Sequence, residues 1–338
     1  MKPVLSAVLV LFITLGVSTG RVQAETAPTI IYDDLDRFAA ALSKVEGGAP
    51  AEETFAAYMD SGSPAYPGYI DRYDVTAKSI ADAVAKRPLH YHRLATLKPR
   101  LQKQEAIIRQ GMAKLNALVP GDNASPPIFY LVGNMYAGGI QVPLARPLGE
   151  HRQGVVLLLE ALAMAEDTNM AEWPGNYSGG YLDDLPYVAV HESMHVYQMQ
   201  AMGRDNYVSI YSSGNPNNLY LALAVREGCA DYLAYLALGK RRRGTQQSYG
   251  EAHERELWRQ FQQVMYRPAS FEDGWFGALD PKTPDWPPQI GYWLGSRMCQ
   301  AYHEAAPDRD AAIRHIVNAY SVDHMRPIAE AYARRMAT

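Results

Sequence analysis

Cysteine is scarce in this 338-residue chain, with Cys229 and Cys299 the only two. In an oxidising compartment they could pair. Cys229 could equally be a small apolar residue buried within its helix. A cysteine nucleophile has little support, because no base is implied beside either residue. An excess of one charge is also missing. The net charge of −4, from 36 acidic and 32 basic residues, argues against nucleic acid as a partner. Internal repeats and low-complexity tracts are absent, so a repeat architecture is excluded. Beyond the first residues, no apolar run is long enough to span a bilayer.

The one long apolar run, Val4 to Val17, follows Lys2 and precedes Val22-Gln23-Ala24, a small-residue cleavage pattern ahead of Glu25. This reads as a secretory signal peptide over residues 1–24, too short and too weakly flanked for a stable membrane anchor. No cysteine stands near the cleavage point, which argues against a lipoprotein. The expectation is an exported protein, periplasmic or secreted. The remaining chain suits one large or two intimately packed domains.

His191-Glu192-Ser193-Met194-His195 carries the strongest chemical signal. Residues four apart stack on one helix face, so both imidazoles can converge on one metal ion. Glu192 sits at an angle that lets its carboxylate act as a base without being a ligand. The flanking Val188-Ala189-Val190 and Val196-Tyr197 imply a mostly buried helix, with Pro186 near its start. Two imidazoles and a carboxylate are costly to bury without partners, and a metal is the usual way to satisfy them.

A second block, Glu227-Gly228-Cys229-Ala230-Asp231, lies within an apolar helical run from Leu219 to Leu238. Catalytic zinc sites use three protein ligands and leave one position open, so Glu227 is a natural third ligand. Asp231 lies four residues on, on the same face, and can accept the outer N–H of a ligand histidine, fixing its tautomer. The bland reading pairs Glu227 with Arg226 or another cation and leaves Asp231 at the helix edge.

His-Glu-x-x-His followed by a helix with Glu-x-x-x-Asp resembles the gluzincin metallopeptidases, the thermolysin-like clan. Within it the chain is most similar to bacterial zinc-dependent proteases of the YjaZ and gliding-lipoprotein type. Phe55 to Ser63 is similar to that family's Tyr-x-x-x-Gly-Ser segment. Trp275-Phe276-Gly277 and Pro288-Gln289-Ile290-Gly291-Tyr292-Trp293-Leu294-Gly295 resemble its late blocks. The resemblance implies a Zn²⁺ peptidase acting on peptide or protein substrates. His191, His195 and Glu227 would be the metal ligands, Glu192 the general base, and Asp231 the acceptor for His191. Tyr292 is the candidate oxyanion donor, with His303 or a tyrosine of the Trp173–Tyr181 loop as fallback. Two features depart from thermolysin. Arg226 stands where that enzyme has Asn, so the group orienting His195 is not carried over. The interval before Glu227 is also longer, and Gly203 to Asn218 reads as a loop, with Asn217 or Asn218 suited to cap the next helix. A zinc hydrolase of a non-peptide amide and a non-catalytic metal-binding module remain the alternatives.

The fold class expected is α+β and mainly helical. A zincin-like catalytic core over residues 121–338 would have a small β-sheet backing the metal helix, preceded by a helical region over 25–120. Ile128 to Val132, Ile140 to Val142 and Val155 to Leu159 read as strands whose edge can pair with an extended substrate. Helical stretches follow at Glu251 to Met265, Ile290 to Glu304 and Asp310 to Met336. The basic run Lys240 to Arg243 reads as a solvated helix cap. His90 and His92 read as surface or core polarity. The aromatic residues between Asp273 and Pro288 either cover the core or line a pocket.

Overall fold

The computed structural model describes residues 27–119, 124–135, 138–145, 152–172, 180–277 and 286–337. The expected signal peptide and residues 173–179 of the aromatic loop lie outside the described residues.

The chain opens with β1 (Ile30–Ile31) and seven helices: α1 (Asp33–Glu46), α2 (Ala51–Asp60), α3 (Tyr66–Tyr73), α4 (Ala77–Lys86), α5 (Pro88–Leu94), α6 (Lys98–Gln102) and α7 (Glu105–Leu118). Local chemistry sets these breaks. Thr76 and Ser79 cap α4 reciprocally, and Pro88 forces the chain out of helix at Arg87. Three strands follow, β2 (Ile128–Leu131), β3 (Gly139–Pro143) and β4 (Gln153–Leu158), then α8 (Leu159–Leu162) and α9 (Leu185–Met202). The remainder is helical: α10 (Arg204–Ser209), α11 (Tyr220–Leu238), α12 (Thr245–Val264), α13 (Ile290–Ala305), α14 (Arg309–Val317) and α15 (Val322–Ala337). The protein is α+β and mainly helical.

The sheet is mixed, in the order β1-β2-β4-β3. β1, β2 and β4 run parallel, with Phe129 opposite Val156, while β3 is antiparallel to β4, with Ile140 opposite Val156. The central strands are buried from Ile128 to Leu131 and from Gly154 to Leu158, as strands covered on both faces must be. β3 forms an edge, and α9 packs across β3 and β4. One hydrophobic cluster runs from Tyr32 through the sheet to Tyr332.

Helix α11 is central, packed against α7, α9, α13 and α15. Its approach to α13 is backbone on backbone. A Cβ on Gly228 would collide with Gly295, and one on Gly295 would collide with the Ala224 carbonyl. The glycines of the two family-like blocks therefore have a packing reason. Cys229 and Cys299 form a disulfide across this contact, with Cα atoms 5.4 Å apart.

Three expectations change. The interval from Gly203 to Asn218 contains α10 rather than loop alone. Neither Asn217 nor Asn218 caps α11. Instead the Tyr220 and Leu221 N–H groups donate to the Arg267 and Met265 carbonyls, and the Asn218 amide donates to Ile210. Backbone from the end of α12 does the work expected of a side chain. The last helical stretch is broken at residues 318–321, where the buried Ala319 carbonyl accepts from buried Arg226.

Candidate metal centre

Helix α9 is sheltered on all sides, with every residue from Leu185 to Gln198 buried. Pro186 lies in its first turn, where its missing N–H costs nothing, and Gly203 ends it at φ 83°. Each large apolar side chain so buried contributes about 1.5–3 kcal/mol, which holds the polar motif in place.

One turn apart on α9, the His191 and His195 rings meet at 87° with centroids 4.7 Å apart. Their Nε2 atoms are 3.0 Å apart. Oε2 of Glu227, from α11, is 3.0 Å from His195 Nε2 and 3.5 Å from His191 Nε2. The outer nitrogens are both engaged. His191 Nδ1 donates to Asp231 Oδ1 at 2.8 Å, since a carboxylate can only accept. His195 Nδ1 donates to Gln198 Oε1 at 2.8 Å, while Gln198 Nε2 donates to the Arg226 carbonyl. With Nδ1 donating outward, each neutral imidazole turns an Nε2 lone pair inward, beside a carboxylate oxygen. Three such acceptors repel one another unless a proton or a metal cation lies among them.

The triangle also has the right size. Ligands 2.0–2.1 Å from a tetrahedral metal ion stand about 3.3 Å apart, against separations here of 3.0, 3.0 and 3.5 Å. The three residues fit a metal ion, and among the described residues they are the group found able to hold one. The remaining Glu227 oxygen, Oε1, accepts the Tyr211 hydroxyl at 2.7 Å.

The electrostatics agree. In the chain alone, burial disfavours the His191 imidazolium, but Asp231, Glu227 and Glu192 outweigh it and push its pKa up to about 10. Burial likewise disfavours the Glu227 carboxylate, yet His195 and His191 hold it well below the ordinary range. The site favours a positive charge at its centre. Burial raises the Glu192 pKa, with the two histidines opposing it.

These groups open into a cavity of about 330 Å³. Glu192 lies against the β3 edge, where a Cβ on Gly139 would stand 2.6 Å from its Oε1. Tyr292, in the first turn of α13, lines the same cavity with its ring stacked on His191 at 6.2 Å and 19°. Burial and the surrounding Glu227, Glu192 and Asp231 raise its phenol far above the usual value, so it stays a donor. His303 accepts or donates with the Tyr232 hydroxyl at 2.8 Å and does not line the cavity, so the fallback donor is outside the site.

Other expectations resolve similarly. His90 is buried against the Glu160 carbonyl, and exposed His92 meets Glu46. Trp275 and Phe276 are core residues. The basic run is a solvated cap only in part: Lys240 and Arg243 are exposed, Arg241 and Arg242 half-buried. Arg241 bonds Ser296 and Gln300, Arg243 meets Asp183, and Arg242 lines the cavity. Arg226 does not pair with Glu227. Its buried guanidinium reaches Met202 and Ala319 and lies over the Tyr207 ring.

Several residues escaped the sequence reading. Gln198 had a usable signal, three places after His195 on the same helix. Tyr207, Tyr211 and Arg72 had none, because separate elements bring them to the cavity.

Comparison with protein-family models, with curated proteins and with solved structures finds no match for this chain.

Proposed function

We propose that this chain is an exported zinc-dependent metallopeptidase of gluzincin type, built on a zincin-like core. The observation that carries the reading is the buried His191–His195–Glu227 triangle with the Glu192 carboxylate facing the same cavity as a non-ligand. The open edge of β3 beside that carboxylate favours an extended peptide over a small amide, because main-chain pairing would register the substrate along the cleft.

When bound, zinc supplies a Lewis acid that eases deprotonation of a water and polarises a carbonyl. Glu192 takes the proton of the attacking water on its carboxylate and returns it to the leaving nitrogen. Burial, which raises its pKa, suits a group that must hold a proton between the two steps. The Tyr292 hydroxyl donates to the substrate oxygen as negative charge develops there. Asp231 and Gln198 hold the two imidazoles in the tautomer that keeps Nε2 free, and Tyr211 fixes Glu227.

Purified protein should contain zinc and hydrolyse casein, with chelation abolishing hydrolysis and zinc restoring it. A preparation free of metal, or hydrolysis indifferent to chelation, would overturn the reading.

A further inference from the structure

Two arginines line the cleft without an ion pair to any described residue. Arg242 is half-buried and makes no hydrogen bond or ion pair with any described residue, although Arg241 and Arg243 beside it are both engaged. The Arg242 charge is felt by Asp184 without an ion pair, and the acids on this side of the cleft have other partners. Asp184 accepts the Arg243 backbone N–H, and Asp231 holds His191. Elsewhere this acidic chain pairs its arginines readily, as Arg93, Arg100 and Arg297 all meet carboxylates.

Arg242 also lines a side pocket of about 50 Å³ that shares Tyr187, Asp231, Gln289 and Tyr292 with the main cavity. That volume holds roughly three or four waters, the size of a carboxylate with its last methylenes. Gln246 and Gln247 add polar side chains to its wall, their amide nitrogens donating to the Pro288 carbonyl and to Glu251, and Trp293 adds an apolar surface. Arg72, at the end of α3, lies among Tyr73, Tyr207 and Tyr211, hydrogen-bonded to Tyr73 and near enough to Glu192 to favour its carboxylate, but none of the described carboxylates forms an ion pair with it. The cleft therefore has a guanidinium on the Tyr292 side and another on the Tyr207 side of the metal triangle. A guanidinium fork matches a carboxylate bidentately, which gives direction as well as attraction.

We infer that the cleft selects peptides bearing an acidic side chain next to the bond cleaved, with Arg242 as the specificity residue and Arg72 as a second anchor. The inference rests on the peptidase reading. The test compares position-scanning peptide libraries carrying Glu or Gln at each position. Expected is a Glu-over-Gln ratio in kcat/KM of about tenfold or more at one position, equivalent to roughly 1.4 kcal/mol. The ratio should fall toward one in Arg242→Gln, survive in part in Arg242→Lys, and shrink at high salt.

A second readout needs no turnover. Zinc-loaded Glu192→Gln protein should bind the Glu peptides more tightly than the Gln peptides in fluorescence anisotropy, and Arg242→Gln added to it should erase the difference. Absence of hydrolysis with a Glu preference in binding would sink the peptidase reading and keep the acidic subsite. Equal binding and cleavage of both libraries, or a preference unchanged by Arg242→Gln and Arg72→Gln together, would overturn the inference.

Discussion

Gly139→Ala tests how the base is placed without touching a ligand. The added Cβ would stand 2.6 Å from Glu192 Oε1, 2.6 Å from Val188 Cγ1 and 2.8 Å from Glu192 Cγ. Ordinary contacts to such atoms are about 3.5–4.0 Å, so the Glu192 side chain must move by roughly 1 Å. Val188 is locked in α9, which leaves the carboxylate as the part that gives. A 1 Å misplacement of a reacting group costs about 10²-fold in rate, near 2.7 kcal/mol. Zinc content should change little, because no ligand is altered, while the thermal midpoint falls somewhat because the Cβ also presses on buried Val188. Gly138→Ala is the internal comparison, since among the described residues its Cβ would meet only the Leu162 side chain, at 3.1 Å. Elemental analysis and peptide hydrolysis on the two variants read the effect. Wild-type turnover in Gly139→Ala, or equal losses in both, would refute the placement of Glu192.

Three other outcomes are expected. Asp231→Asn leaves His191 without its carboxylate acceptor, and zinc affinity measured by chelator competition should weaken about 10–100-fold; unchanged affinity would remove Asp231 from the site. Tyr292→Phe should keep zinc and fold but lose kcat on the order of 10²–10³-fold, with little change in KM; an unaffected kcat would assign the ring to packing alone. Glu160 is wholly buried, and burial raises its pKa to about 7 against 4.5 for the ordinary group. Between those values the folded state holds a proton that the unfolded chain has lost, so stability should fall as pH rises, by at most about 3 kcal/mol. Urea midpoints at pH 5 and pH 8 should therefore converge in Glu160→Gln, and an identical pH dependence in both proteins would contradict this.

Much of the site is legible in the sequence because its donors lie on two helices at four-residue spacing. His191 with His195, and Glu227 with Asp231, need only helical geometry to share a face. The strands are legible too, since β2 and the Val155–Leu158 part of β4 are apolar runs that a covered sheet requires. Tertiary structure supplies the rest. Tyr211 reaches Glu227 from an Asn- and Ser-rich interval whose composition hides α10. The cap of α11 comes from the end of α12, a partner no local pattern can name. Arg242 sits in a run of four basic residues, and only packing separates it from its engaged neighbours. The α13 register that brings Tyr292 to His191 depends on Gly228 and Gly295 meeting backbone to backbone, which a residue-by-residue reading does not convey.

The central claim is that His191, His195 and Glu227 hold zinc while Glu192 works as a base beside it. Turnover per bound zinc in Glu192→Gln, measured against wild type on the same samples, tests both halves at once. The account predicts one zinc per chain in each protein and a loss of hydrolysis of about 10³-fold or more in the variant alone. A wild type without zinc, or a variant that turns over as fast as wild type, would contradict it.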